Sequence, residues 1–214
     1  MNKIQTALAV AGLVLARSGA NAAIVSGATV DFTFDNNEYF NFQEVIGDTL
    51  IFSSTLSVSQ FTEGSDYIWP PALSPLVTIT AKSGYSLSDL KATETGLYLQ
   101  KGNAAVDYLA GLTIFNPSAE SSDFYIDYDL DGIGGVWSAE SYGWLANATT
   151  IGAQVATALF ADNAGGLGSK AAINVSFLTF EVTTDVTAVP LPGAFWLFGS
   201  ALTGILVSRR RAAA

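Results

Sequence analysis

The residue types best suited to chemistry fall between Asp123 and Trp144, in the stretch D-F-Y-I-D-Y-D-L-D-G-I-G-G-V-W-S-A-E-S-Y-G-W. Asp127, Asp129, Asp131 and Gly132 have the D-x-D-x-D-G spacing with which hard oxygen ligands open an EF-hand-type calcium loop, the glycine permitting the sharp turn. The match then stops: the twelfth position is Ser138 rather than a bidentate Glu, and Glu140 comes two residues late. Two readings stand. Either Asp127, Asp129 and Asp131 bind Ca²⁺, or Asp123, Asp127 and Asp129 line the wet side of a strand that buries Phe124, Ile126, Tyr128 and Leu130. Alternate side chains on a strand stand roughly 6.6 Å apart, too wide for one ion unless the chain curls between 130 and 135.

Trp137, Tyr142 and Trp144 lie beside those carboxylates, and Tyr67, Trp69, Pro70 and Pro71 form a second aromatic group. Exposed rings flanked by carboxylates suit a sugar-binding surface, because rings stack on the apolar faces of sugars while polar groups fix the hydroxyls. The competing reading is core, where large aromatics of a sandwich usually sit.

Composition removes most other chemistry. The chain has no Cys and no His, so thiolate nucleophiles, Ser-His-Asp triads and His-ligated zinc are absent. Carboxylates, Lys and Tyr remain. A glycosidase needs two carboxylates about 5 to 9 Å apart across a cleft, whereas neighbours along one strand share a direction; the expectation is a protein that is not an enzyme.

These residues need elements to position them, and the chain reads as β throughout. Val30, Phe32 and Phe34 alternate with polar residues over Ala28 to Phe34, and the same alternation marks Thr49 to Gln60 and Leu76 to Ala81. Further strands are expected over Thr95 to Gln100, Ala105 to Phe115, Asp123 to Leu130, Thr149 to Phe160 and Ala171 to Thr184, with one helical turn near Ser86 to Leu90. Turn signals such as Lys101-Gly102-Asn103 and Asp162 to Gly168 separate them. The pattern predicts an all-β domain over residues 23–188: an antiparallel β-sandwich, jelly-roll-like.

Both ends of the chain have a different character. Residues 1–22 read as a secretory signal peptide, with Lys3, an apolar stretch from Ile4 to Ala16, and the Ala20-Asn21-Ala22 cleavage site. Residues 189–214 carry Val189-Pro190-Leu191-Pro192, an uncharged apolar run from Gly193 to Ser208, and Arg209, Arg210 and Arg211. The two prolines fix φ and keep the entrance extended. The run is about 16 residues, near the lower limit for a membrane helix, and the arginines hold the end on the cytoplasmic side.

Val-Pro-Leu-Pro, then Trp-Leu-Phe-Gly-Ser-Ala-Leu, then Arg-Arg-Arg resembles the PEP-CTERM sorting signal of Gram-negative bacteria, with Leu191 where the name-giving motif has Glu. The resemblance covers about an eighth of the chain. It implies export through the general secretion machinery across the inner membrane. Recognition of Pro190, Leu191 and Pro192 by the membrane enzyme exosortase follows, with passage through a transient transmembrane helix and release or attachment at the cell surface or in an exopolysaccharide matrix. A plain membrane anchor uses the same physics without processing.

Charge separates along the same boundaries. All 19 acidic residues but only four of the nine basic ones fall in Ala23 to Val189, and 4 minus 19 leaves that domain at −15. Such a surface repels nucleic acid and favours cationic partners. The expected protein is a structural component of the cell surface or biofilm matrix without a cofactor, with a calcium-stabilised carbohydrate-binding module as the alternative.

Overall fold

The computed structural model describes residues 22–35, 37–115, 122–130 and 133–187. The signal peptide and the sorting signal expected from the sequence lie outside these residues. Among those described, no helix is long and apolar enough to cross a membrane.

The described chain is two antiparallel sheets of alternating strands. The first runs in the order β1 (Ala23–Ser26), β2 (Val30–Phe34), β8 (Val77–Ala81), β13 (Thr150–Asn163), β10 (Ala104–Phe115) and β11 (Ser122–Asp129). Two short strands, β6 (Gly64–Tyr67) and β7 (Ala72–Leu73), pair further along β13. The second runs β12 (Gly134–Ala148), β9 (Tyr85–Lys101), β14 (Lys170–Val186), β4 (Thr49–Ser54) and β3 (Phe40–Ile46), with β5 (Ser57–Gln60) also paired to β14.

Period-two alternation dictates which face each sheet buries. Val30, Phe32 and Phe34 of β2 are buried, as are Leu50 and Phe52 of β4 and Leu178, Phe180 and Val182 of β14. Phe34 meets Phe52 edge-on across the layers at 5.1 Å, and Phe52 meets Phe180 within the second sheet at 6.3 Å. Each such ring contributes about 1.5 to 3 kcal/mol on leaving water. The sandwich expected from alternation is therefore present, and Ala153 to Phe160, whose alanines also suit a helix, is strand within β13.

One expectation is corrected, and two strands form where none is expected. Ser86 to Leu90 is not a helical turn but the start of β9, which runs to Lys101. Residues 134–148 form the 15-residue strand β12, in which Tyr142 and Trp144 face outward while Trp137 and Leu145 face inward with the small Ala139, Ser141 and Gly143 between them. The strand β3 was also unread, because only Phe40 of its seven residues is fully buried.

Gly96 marks where the second sheet is tightest. It faces a bulge in β14 between Val175 and Phe177, and a Cβ there would sit 1.8 Å from the Asn174 carbonyl oxygen and 2.7 Å from Trp137 Nε1. A backbone atom cannot swing aside, so Gly96→Ala is expected to destabilise the fold by about 3 kcal/mol, as overpacking does. A urea midpoint within error of wild type would contradict it.

Candidate functional site

Parity along β12 sorts its aromatics. Tyr142 and Trp144 are two residues apart and share the outer face of the second sheet, with 53% and 80% of their surfaces exposed. Trp137 is five and seven residues away from them, an odd separation in each case, and points inward with 5% exposed. It packs on Tyr108 at 4.4 Å and donates Nε1–H to the Asn174 carbonyl at 3.0 Å. Of the three residues expected to bind sugar, Trp137 is thus core, and the other two stand together. Tyr67 and Trp69 adjoin the first sheet instead, with Trp69 tilted against Phe160 at 6.3 Å.

Register explains why the indole of Trp144 stands uncovered. Trp144 pairs with Asp89 of β9, which pairs in turn with Thr183 of β14. Both neighbours are short and cannot reach over the ring. A groove therefore opens on each flank. The first, about 460 Å³, is lined by Asp89, Lys91, Tyr142, Glu181 and Thr183 beside Trp144. The second, about 450 Å³, is lined by Ser88, Asp89, Ala146, Asn147 and Asp185 on the other side.

The bulge that follows Trp144 shapes the second groove. Pairing to β9 jumps from Trp144 to Ala148, and the slack is absorbed by Ala146 and Asn147 in left-handed conformations, φ 44° and 60°. Such backbone is costly for a residue with a Cβ. The displaced strand also leaves the buried Ser88 Oγ without a hydrogen-bond partner among the described residues.

Electrostatics differ between the flanks. In the first groove Lys91 Nζ lies 2.6 Å from Glu181 Oε2 and 3.9 Å from Glu140 Oε1, and the Tyr142 hydroxyl donates to Glu140 Oε2. The hydrogen bond to Glu181 holds the Lys91 ammonium above its ordinary pKa, and the Glu140 carboxylate likewise raises the Tyr142 hydroxyl. In the second groove Asp89 and Asp185 have no ion pair among the described residues.

A polar cluster absent from the sequence reading lies between the sheets. Glu94 of β9, 2% exposed, accepts hydrogen bonds from the hydroxyls of Tyr108 of β10 and Thr157 of β13, the latter at 2.8 Å. Burial is the largest influence on its carboxyl and outweighs the two hydrogen bonds, pushing its pKa up to about 7. The cluster faces Trp137 through Tyr108 and opens to neither groove.

For calcium, the backbone is informative at both sides of the expected loop. Asp127 and Asp129 occupy β11, opposite Leu109 and Asp107, while Asp131 lies outside the described residues. An EF-hand wraps twelve consecutive residues round one ion. Positions eight to twelve, residues 134–138, are instead extended and paired to β9 from Gly134 onward, so that wrap is not formed. Among the described residues no group of three His, Cys, Asp or Glu is placed to hold a metal ion.

No family model matches the chain, and no curated protein matches it. Solved structures resemble it distantly. A chain of infectious bursal disease virus, Gt strain, is 10% identical with a TM-score of 0.36, covering 80% of this chain and 38% of its own. The enzymatically active domain of bacteriophage CBA120 tailspike protein 4 is 9% identical with a TM-score of 0.24, covering 76% and 19%. An arabinose-bound α-L-arabinofuranosidase, MgGH51, is 13% identical with a TM-score of 0.20, covering 75% and 23%. The chain thus spans 38% or less of the length of each.

Proposed function

We propose that this is an exported, non-enzymatic protein of the cell surface or extracellular matrix whose sandwich binds polysaccharide across Trp144 and Tyr142. The observation that carries the reading is the 80% exposed indole of Trp144, walled by two grooves and placed beside Tyr142 on one flat sheet face. An exposed aromatic shelf with hydrogen-bonding groups at its rim is what a sugar ring needs.

The non-enzymatic part rests on residue chemistry. Lys91 Nζ lies 3.9 Å from Glu140 and 2.6 Å from Glu181, so its ammonium competes with any substrate oxygen for both carboxylates. With that cation between them, neither is free to protonate a leaving group while the other attacks.

Delivery is assigned to the two ends of the chain. Residues 1–22 would direct export, and Val189 to Pro192, the apolar run and Arg209 to Arg211 would present a membrane-held tail to exosortase, as the PEP-CTERM resemblance implies. The test is the intact mass of the protein recovered from cells and medium with and without exosortase. A species starting near Ala23 and ending near Pro190 to Pro192 only when exosortase is present is the expected result. A species that keeps Arg211 in both strains makes the tail an ordinary anchor and removes the sorting part of the proposal.

A further inference from the structure

We infer that the paired grooves select a cationic glycan, a polymer of unacetylated 2-amino sugars, over neutral and acidic ones; this rests on Trp144 being a glycan site. The groove residues and their rim carry four carboxylates, Asp89, Glu140, Glu181 and Asp185, against one ammonium, Lys91. That ammonium is held at 2.6 Å from Glu181, so its charge is already matched. The second groove has no cation at all among its lining residues.

A protonated amine on a sugar stacked against Trp144 meets two complementary features there. The indole face attracts a cation through its quadrupole. Asp89, directly opposite Trp144 in register, and Asp185 supply charge-assisted acceptors. An N-acetyl group neutralises the amine and forfeits these interactions, and a uronate is repelled by them. The domain's charge of 4 minus 19, or −15, extends the same preference to longer range and draws a polycation in from solution.

The full-length chain, held in a neutral detergent, is titrated by Trp fluorescence with three probes of matched length: chitosan oligomers, fully N-acetylated chitin oligomers and oligoguluronate. Chitosan is expected to bind at least tenfold more tightly than the acetylated oligomer, oligoguluronate to show no saturable change, and Asp89→Asn with Asp185→Asn to reduce the preference to less than threefold. Trp144→Ala should weaken chitosan binding by about 30-fold, read by calorimetry. Equal or tighter binding of the acetylated oligomer overturns the cationic preference while leaving Trp144 a glycan site. Chitosan binding unchanged in Trp144→Ala, and matched by polylysine of equal charge, reduces the effect to bulk attraction and overturns it. Failure of all three probes, with a Trp144 environment that no other glycan perturbs, removes the glycan reading itself. Emission from buried Trp137 reports that each variant remains folded.

Discussion

Trp144→Ala is expected to weaken polysaccharide binding by about 30-fold and to leave the fold untouched, while Trp137→Ala does the reverse. The first figure follows from the roughly 2 kcal/mol that a central tryptophan contributes to a binding surface. Trp144 is 80% exposed and its cross-strand neighbours are Asp89 and Thr183, so truncation uncovers no core and the urea midpoint should move within the ±0.5 kcal/mol usual for surface substitutions. Trp137 stacks on Tyr108 and satisfies its indole N–H on Asn174, and its loss opens a cavity between the sheets that costs about 3 to 5 kcal/mol. Isothermal titration and denaturant unfolding on the two variants decide the matter. A Trp144→Ala protein that binds as wild type does would remove this face as the ligand surface, whatever its stability.

The second large effect lies in the core. Glu94 has a folded-state pKa of about 7 against about 4.3 for an unfolded Glu. A carboxyl raised in this way favours folding fully while the pH stays below the unfolded value. Its contribution is lost as pH rises from about 4.3 through 7, and the loss is complete above that. Its total, at about 1.4 kcal/mol per pKa unit, is about 4 kcal/mol, an upper figure because buried sites relax. Glu94→Gln removes the titration while keeping an acceptor for one hydroxyl and a donor for the other. The variant should match wild type near pH 5 to within about 1 kcal/mol and exceed it by 1 to 3 kcal/mol at pH 8. Because both proteins share every other carboxylate, the difference between their urea midpoints isolates Glu94. A constant difference across that range would mean that Glu94 holds its charge throughout.

These two residues also mark how far the sequence alone could lead. The strand β2 was legible because Val30, Phe32 and Phe34 alternate with polar residues and bury one face, the simplest case of the period-two rule. The strand β12 obeys the same rule less visibly: between Trp137 and Leu145 its inward residues are the small Ala139, Ser141 and Gly143, while Tyr142 and Trp144 go out. Over 138–144 hydrophobic character therefore does not mark the buried face. Once 134–148 is read as a strand, parity alone separates Trp137 from Tyr142 and Trp144. For Glu94 parity also suffices to put it in line with Leu90 and Ala92, but its partners Tyr108 and Thr157 come from the other sheet. The grooves required still more: Asp89 meets Thr183 only through a register spanning 94 positions, which no local pattern encodes.

The long ladder between β9 and β14 ends at Val186, opposite Tyr85, and the next amide, Thr187 N–H, is tied to the Gly84 carbonyl. Trp144, Asp89 and Thr183 lie in one row three positions before that exit. For a chain gripped at its tail and by a polymer at Trp144, tension enters and leaves the domain at the same end. The load path crosses two neighbouring strands over a few residues and bypasses the rest of the sandwich. Along that path the strands are pulled lengthwise, so hydrogen bonds on both edges of β9, to β12 and to β14, share the stress and must shear together rather than open one at a time. Held as proposed, by its tail and by a glycan at Trp144, such a domain would carry force as a short rivet while its core stayed mechanically silent.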